Sequence, residues 1–376
     1  MKKKIKKSGK KIVSEYSEYN DQIYIDQVDR TGELEKYERR LDSLARILGI
    51  GGCAAVAIYD GSLLVKENNL DNNPKHDKRR RKHINDCIDY LYAISAGKPF
   101  SEEKEYEFFK NFFYEIYVFE EMNAQNAESR RVIADALYGN IGTQENYKLF
   151  CSKIGKNEYQ ESLKKIHRKN ANIDQALAFY FRDFSKIKSF IKESQDFKNI
   201  FLEKNCNAES SEIEQKVHAE AQLISELINI EEKQLKNNSN KTKIYLGISK
   251  RCCSKCELLR KTASNISNSF TFEARGTHGL SHNWTIPSRI RGSFSANSAT
   301  NESNLSFKLG FALKETFRTT ISIKKPRGVE PKGYTSQSSG DESDKSYDEE
   351  FGCIEEEIDT LSTYQVVLIR RVEYVY

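Results

Sequence analysis

His218-Ala219-Glu220 lies in the stretch Val217 to Ile228 (VHAEAQLISELI), which is followed by Lys243 to Ile248 (KIYLGI) and then by Cys253-Ser254-Lys255-Cys256. The first stretch carries apolar residues at Val217, Ala221, Leu223, Ile224, Leu227 and Ile228, near the 3.6-residue period of a helix packed on one face. That period places His218 and Glu220 in the first turn. KIYLGI, rich in β-branched and aromatic residues, reads as a buried strand, and Cys253 to Asn265 reads as a second helix with both thiols in its opening turn. A helix N-terminus presents unpaired N–H groups and partial positive charge, which favour thiolate over thiol. The unit is helix, strand, helix, with metal-ligand side chains where each helix begins.

One imidazole and two thiolates make a three-ligand zinc site whose fourth tetrahedral position is open to water, and open zinc sites do chemistry. Glu220 need not touch the metal. H-x-E followed by C-x-x-C is the arrangement of zinc-dependent nucleobase deaminases, in which the glutamate moves protons. Neither motif suffices singly. H-x-E is expected by chance about once in a chain this acidic, and C-x-x-C also serves structural zinc and thioredoxin-like redox chemistry. A structural Cys₄ site needs a second C-x-x-C, and Cys53, Cys87, Cys151, Cys206 and Cys353 supply none. The two motifs in this order and context point to catalytic zinc held by His218, Cys253 and Cys256, with Glu220 as the catalytic group. Cys252 keeps an alternative open, because Cys252 to Cys256 is a C-x₃-C spacing that zinc also accepts.

With 376 residues, the chain has room for about two domains and a sizeable core. A net charge of +5 does not by itself mark a nucleic-acid binder. The positive charge is concentrated in the lysines of the first eleven residues and in Lys75 to His83 (KHDKRRRKH). Such runs are solvated faces or tails more often than phosphate contacts, and both readings stay open. The cysteines are irregularly spaced, with two adjacent at Cys252 and Cys253, which fits a reducing compartment better than a disulfide framework. No apolar h-region follows the N-terminal lysines, and no apolar stretch is long enough to span a bilayer. A cytoplasmic protein, or an effector secreted by a leaderless route, is therefore expected, with no membrane partner.

Along the chain, residues 1–35 read as a flexible basic leader. Residues 36–73 hold a first helix and a hairpin, since Cys53 to Tyr59, Asp60-Gly61 and Ser62 to Glu67 form two apolar runs about a turn pair. Residues 74–205 turn to charged amphipathic helices, among them Glu102 to Glu121 and Ile173 to Glu193, and read as an all-helical insertion or subdomain. The aromatic positions at Phe179, Tyr180, Phe181, Phe184 and Phe190 suit a core better than a ligand box. Residues 206–325 form the zinc-binding core, with a strand at Phe270 to Ala274, a glycine-rich loop from Gly276 to Trp284 and an amphipathic helix at Leu305 to Ile323. Residues 326–360 read as a disordered acidic linker and 361–376 as a terminal strand.

Three stretches, His218 to Leu227 (HAEAQLISEL), Tyr245 to Cys256 (YLGISKRCCSKC) and Arg275 to Pro287 (RGTHGLSHNWTIP), resemble the Orientia-type, toxin-like branch of the cytidine deaminase-like superfamily. The hairpin matches more loosely, and the likeness covers roughly 110 residues. The resemblance implies a cytidine deaminase-like α/β/α sandwich around a mixed sheet, zinc on His218, Cys253 and Cys256, and Glu220 as proton shuttle. Cys252 departs from the pattern, since many members have proline there. The resemblance further implies a substrate-contacting asparagine at the end of the hairpin, Asn68 or Asn69, against which stands a solvated loop asparagine. His278 is a candidate to stack on or hydrogen-bond the substrate, or a plain surface histidine. Trp284 either stacks on a base or, as favoured here, packs its loop.

The expected reaction is hydrolytic deamination of cytosine or adenine in nucleic acid or nucleotide, with single-stranded nucleic acid among the candidate partners. Whether a protein partner or inhibitor exists is left open. Two other readings compete. One is an adaptor with a structural zinc closed by Cys252 or His278, and the other is a free-nucleoside deaminase.

Overall fold

The computed structural model describes residues 23, 25–49, 53–68, 74–123, 127–166, 173–203, 206–207, 217–234, 241–281, 285–294 and 304–323. In chain order its elements begin with β1 (Val28–Asp29), α1 (Lys36–Leu48), β2 (Ala54–Tyr59) and β3 (Ser62–Glu67). Seven helices follow: α2 (Pro74–Ser95), α3 (Glu102–Asn123), α4 (Ala127–Ile141), α5 (Gln144–Ile154), α6 (Asn157–Lys164), α7 (Ile173–Glu193) and α8 (Gln195–Leu202). The rest are β4 (Cys206–Asn207), α9 (Ala219–Gln234), β5 (Thr242–Ile248), α10 (Ser254–Ile266), β6 (Phe270–Ala274), β7 (Gly276–Thr277), α11 (Ser288–Phe294) and α12 (Leu305–Ile323).

Asp60 and Gly61 adopt φ values of 50° and 70°, the left-handed pair that a two-residue hairpin turn needs. They join β2 to β3 in register from Ala54 opposite Glu67 to Tyr59 opposite Ser62. The hairpin is the centre of a five-stranded mixed sheet of order β4-β3-β2-β5-β6. β2 runs antiparallel to β3 and β5, while β3 with β4 and β5 with β6 are parallel. Helices cover both faces. Alternate residues divide the sheet between two cores: Val56, Leu63, Val65 and Tyr245 face α1 and the helices α2 to α8, whereas Ala55, Ala57, Leu64, Ile244, Leu246 and Ile248 face α9, α10 and α12.

α1 is the joint between the sheet and the helical region. Gly247 lets it lie close against β5, since a Cβ there would come within 2.5 Å of the Leu41 backbone. Asp42 accepts the Ile248 amide at 2.8 Å and the Tyr245 hydroxyl at 3.1 Å. On its other side, Arg46 makes a buried two-point pair with Asp183 of α7. Beyond it, Phe109, Phe113, Phe181 and Phe184 form an aromatic core. Phe179, Phe181, Phe184 and Phe190 are buried and Tyr180 half-buried, so the aromatic stripe of α7 packs.

The structure corrects one expectation. The later part of the segment read as a flexible leader is an ordered strap: β1 pairs antiparallel with β7, the Ile25 amide donates to the Gly279 carbonyl, and Ile23 is buried. Its apolar residues are too few to give a period, and their partners lie some 250 residues downstream. The first 22 residues, the expected linker over 326–360 and the terminal strand over 361–376 lie outside the described residues. Among the described residues, no helix is long and apolar enough to cross a membrane.

Candidate metal centre and active site

The end of β5 leads through Ser249 to Cys252 into Cys253, which is the N-cap of α10; its Sγ accepts the Cys256 amide at 3.5 Å. His218 immediately precedes α9, and its carbonyl accepts the Gln222 amide at 3.0 Å. The expected first-turn placement is thus refined by one position at each helix. His218 Nδ1 faces both sulfurs, 3.5 Å from Cys253 Sγ and 3.4 Å from Cys256 Sγ. These three donor atoms all lie within 4.8 Å of one another, and among the described residues they are the group with the composition and closeness to hold a metal ion.

Cys252 is left out of that group. Its backbone is tied into the glycine-rich loop, with its amide donating to Gly276 and its carbonyl accepting from the Thr277 hydroxyl at 2.7 Å and the His278 amide at 3.1 Å. The thiol is buried, and burial pushes it well above the ordinary thiol range. Burial pushes Cys253 and Cys256 up as well. Hydrogen bonds from Cys256 and the adjacent imidazole nevertheless hold Cys253 well below the usual range, while Cys256 stays raised beside it. A metal ion binds cysteine sulfur as thiolate, so metal binding at this pair would release protons.

Glu220, the second residue of α9, lies in the same site, nearly fully buried, with Oε1 4.0 Å from His218 Nδ1. Its Oε2 is buried without a hydrogen-bond partner among the described residues. Burial raises its carboxyl above the usual range, and the nearby imidazole opposes that shift. A buried orphan carboxylate oxygen costs free energy unless something fills the space beside it. A zinc ion with its water fits the donor set, one imidazole and two thiols, and would answer that oxygen.

The other candidates fall differently. Asn68 is buried at the end of β3, where its Oδ1 accepts the amide of Ala219, the first residue of α9. Its amide N–H₂ has no partner among the described residues. His278 is half-buried, and its Nδ1 accepts the Leu280 amide at 3.2 Å, so its ring proton sits on Nε2. Asn69 and Trp284 lie outside the described residues. Three further residues had no signal in the motifs. Gln222 Nε2 donates to the Val217 and Glu67 carbonyls, both at 2.9 Å. Ser254, between the two cysteines, donates to the Ile23 carbonyl of the strap at 2.5 Å. Thr277 anchors the loop behind Cys252. Each acts through backbone that only the tertiary fold brings near.

The fold and site together define an α/β protein with a mixed sheet, a metal-capable His/Cys/Cys group at two helix N-termini and a buried acid beside it. Residues 217–288 match the model of a family described as OTT_1508_deam-like deaminase. The match spans both motifs and supports the deaminase family that they resemble. No curated protein and no solved structure matches the chain.

Proposed function

We propose that this chain is a zinc-dependent hydrolytic deaminase of cytosine or adenine carried in nucleic acid or nucleotide. The convergence of His218 Nδ1 with two cysteine sulfurs beside the unpartnered Glu220 Oε2 carries the reading. His218, Cys253 and Cys256 hold the zinc, which when bound supplies Lewis-acid activation of water. Glu220 does the proton work at Oε2. It accepts a proton as water attacks the ring carbon bearing the amino group, delivers it to the adjacent ring nitrogen, and then assists departure of ammonia, so that C–NH₂ and water become C=O and NH₃. A carboxyl raised above its ordinary range by burial suits a group that must both accept and release a proton. The Asn68 amide N–H₂ offers a donor to substrate, and His278 is the second side chain proposed to contact it.

The fold is read as the α/β/α sandwich of cytidine deaminase-like enzymes, with α2 to α8 as a helical insertion between hairpin and zinc core. Those extra helices and the basic runs favour a polynucleotide over a free nucleoside, and an effector role is part of the same reading. A structural zinc closed by Cys252 or His278 is disfavoured, since among the described residues neither belongs to the cluster. Incubating zinc-loaded protein with single-stranded DNA, RNA and free nucleosides, followed by mass spectrometry of the digested bases, tests the proposal. Conversion of an amino to an oxo base in a polynucleotide supports it, and zinc-replete protein that converts no base in any arm removes it.

A further inference from the structure

His218 has to present one ring nitrogen to two sulfurs on a different helix, and that demands a fixed backbone. The bonds around it are unusually placed. Gln222, one turn further along α9 and buried, spends both protons of its amide on two carbonyls from different parts of the chain. One is Val217, the residue before His218, and the other is Glu67, the residue before Asn68. In the return direction, Asn68 Oδ1 accepts the amide of Ala219, the residue after His218. His218 is therefore pinned to the end of β3 on both sides, through the carbonyl that precedes it and the amide that follows it.

From this geometry we infer that Gln222 is a positioning residue for the metal centre. It buckles the ligand segment Val217–His218 to the hairpin end Glu67–Asn68 and so sets the direction of the His218 ring and the Glu220 carboxylate. The inference rests on the zinc reading above, but concerns a residue that neither binds the metal nor reaches substrate. Side-chain chemistry explains the choice of glutamine. Its planar amide has two N–H donors splayed to reach two acceptors, whereas ionised glutamate has none and leucine would leave two buried carbonyls unsatisfied. The tie spans segments 155 residues apart in sequence, so nothing local can replace it.

The test compares full-length wild type, Gln222→Leu and a control, Leu227→Ala, which removes buried apolar volume from the same helix two turns from the centre. Zinc affinity is measured by competition with a chromophoric chelator, and the cobalt-substituted protein by its visible spectrum. Gln222→Leu is expected to lose about tenfold or more in zinc affinity and to shift the cobalt bands, as supporting bonds around a metal ligand typically do. Leu227→Ala, though destabilised, is expected to change affinity by less than about threefold. Folded Gln222→Leu with wild-type affinity and cobalt bands, or a control that loses as much, overturns the inference.

Wild-type protein gives a second measurement that does not depend on the variant folding. Both side-chain amide protons of Gln222 are expected to exchange slowly with solvent by NMR, and exchange at the rate of a free glutamine overturns the inference. None of these readouts needs a substrate. Failure of the deaminase assay with Gln222 behaving as described would sink the proposed function and leave the buckle standing.

Discussion

Asp183→Ala should cost the protein much of its stability, because it strands a guanidinium in the interior. Arg46 Nε lies 2.8 Å from Asp183 Oδ2 and Nη2 lies 3.0 Å from Oδ1, while the Ser43 hydroxyl also donates to Oδ1 at 3.0 Å. The Arg46 side chain is only 7% exposed and that of Asp183 1%. Removing one member of a buried pair leaves an uncompensated charge and costs about 3–5 kcal/mol. The pair itself need not be net stabilising, since apolar residues of similar volume often serve as well. The double variant Arg46→Met with Asp183→Leu should therefore recover most of the loss. Urea denaturation followed by circular dichroism, with free energies extrapolated to water, measures all three proteins. If Asp183→Ala falls by less than about 1 kcal/mol, or the double variant is no better than the single one, α1 is not joined to α7 as described.

Gly247→Ala would drive a methyl into the Leu41 backbone, which cannot swing aside as a side chain could. It should cost about 1–3 kcal/mol in the same assay, and a neutral effect would contradict the close seating of α1 on β5. Cys253→Ser and Cys256→Ser should each abolish stoichiometric zinc by elemental analysis, while Cys252→Ser keeps most of it; the reverse pattern would reassign the ligand. His83 is buried, hydrogen-bonded to the Ile47 carbonyl at 2.9 Å, and lowered to about 4 by burial. Between pH 6.5 and about 4 the unfolded chain binds the proton that the folded one refuses, so stability should fall as pH drops through that window, by up to about 3 kcal/mol from this residue. His83→Gln should flatten that part of the profile, and parallel wild-type and variant curves would rule the mechanism out.

Much of this architecture was legible where a short-range rule applies. The Asp60-Gly61 pair between two apolar runs specifies its own turn, and the periodicity of α7 and α12 marked Ile173–Glu193 and Leu305–Ile323 as they stand in the structure. The candidate donor group was legible because metal chemistry restricts both residue type and spacing. Spacing leaves both Cys252 and Cys253 acceptable, and in the structure it is Cys253, the N-cap of α10, that joins His218 and Cys256 in the group that could hold a metal. What escaped notice are contacts made through backbone between distant segments. The strap formed by Ile23 and residues 25–30 read as part of a basic leader because its few apolar residues give no period, and its pairing is made through backbone to the distant glycine-rich loop. Gln222 carries no motif signal, and its use of two carbonyls depends on the hairpin end that the fold brings to it. β4 pairs through only two residues, Cys206 and Asn207, too few to show a strand pattern.

The most direct test of the central claim is Glu220→Gln, which keeps shape and removes the proton shuttle. Zinc content and base conversion are measured together on wild type and variant, with whichever polynucleotide or nucleoside the wild type converts. General acid–base assistance is worth roughly 10² to 10⁴ in rate, and one carboxylate serving several transfers should place the loss at or beyond the upper end. Zinc should remain near one equivalent per chain. Undiminished conversion by Glu220→Gln, or loss of its zinc, would contradict the account.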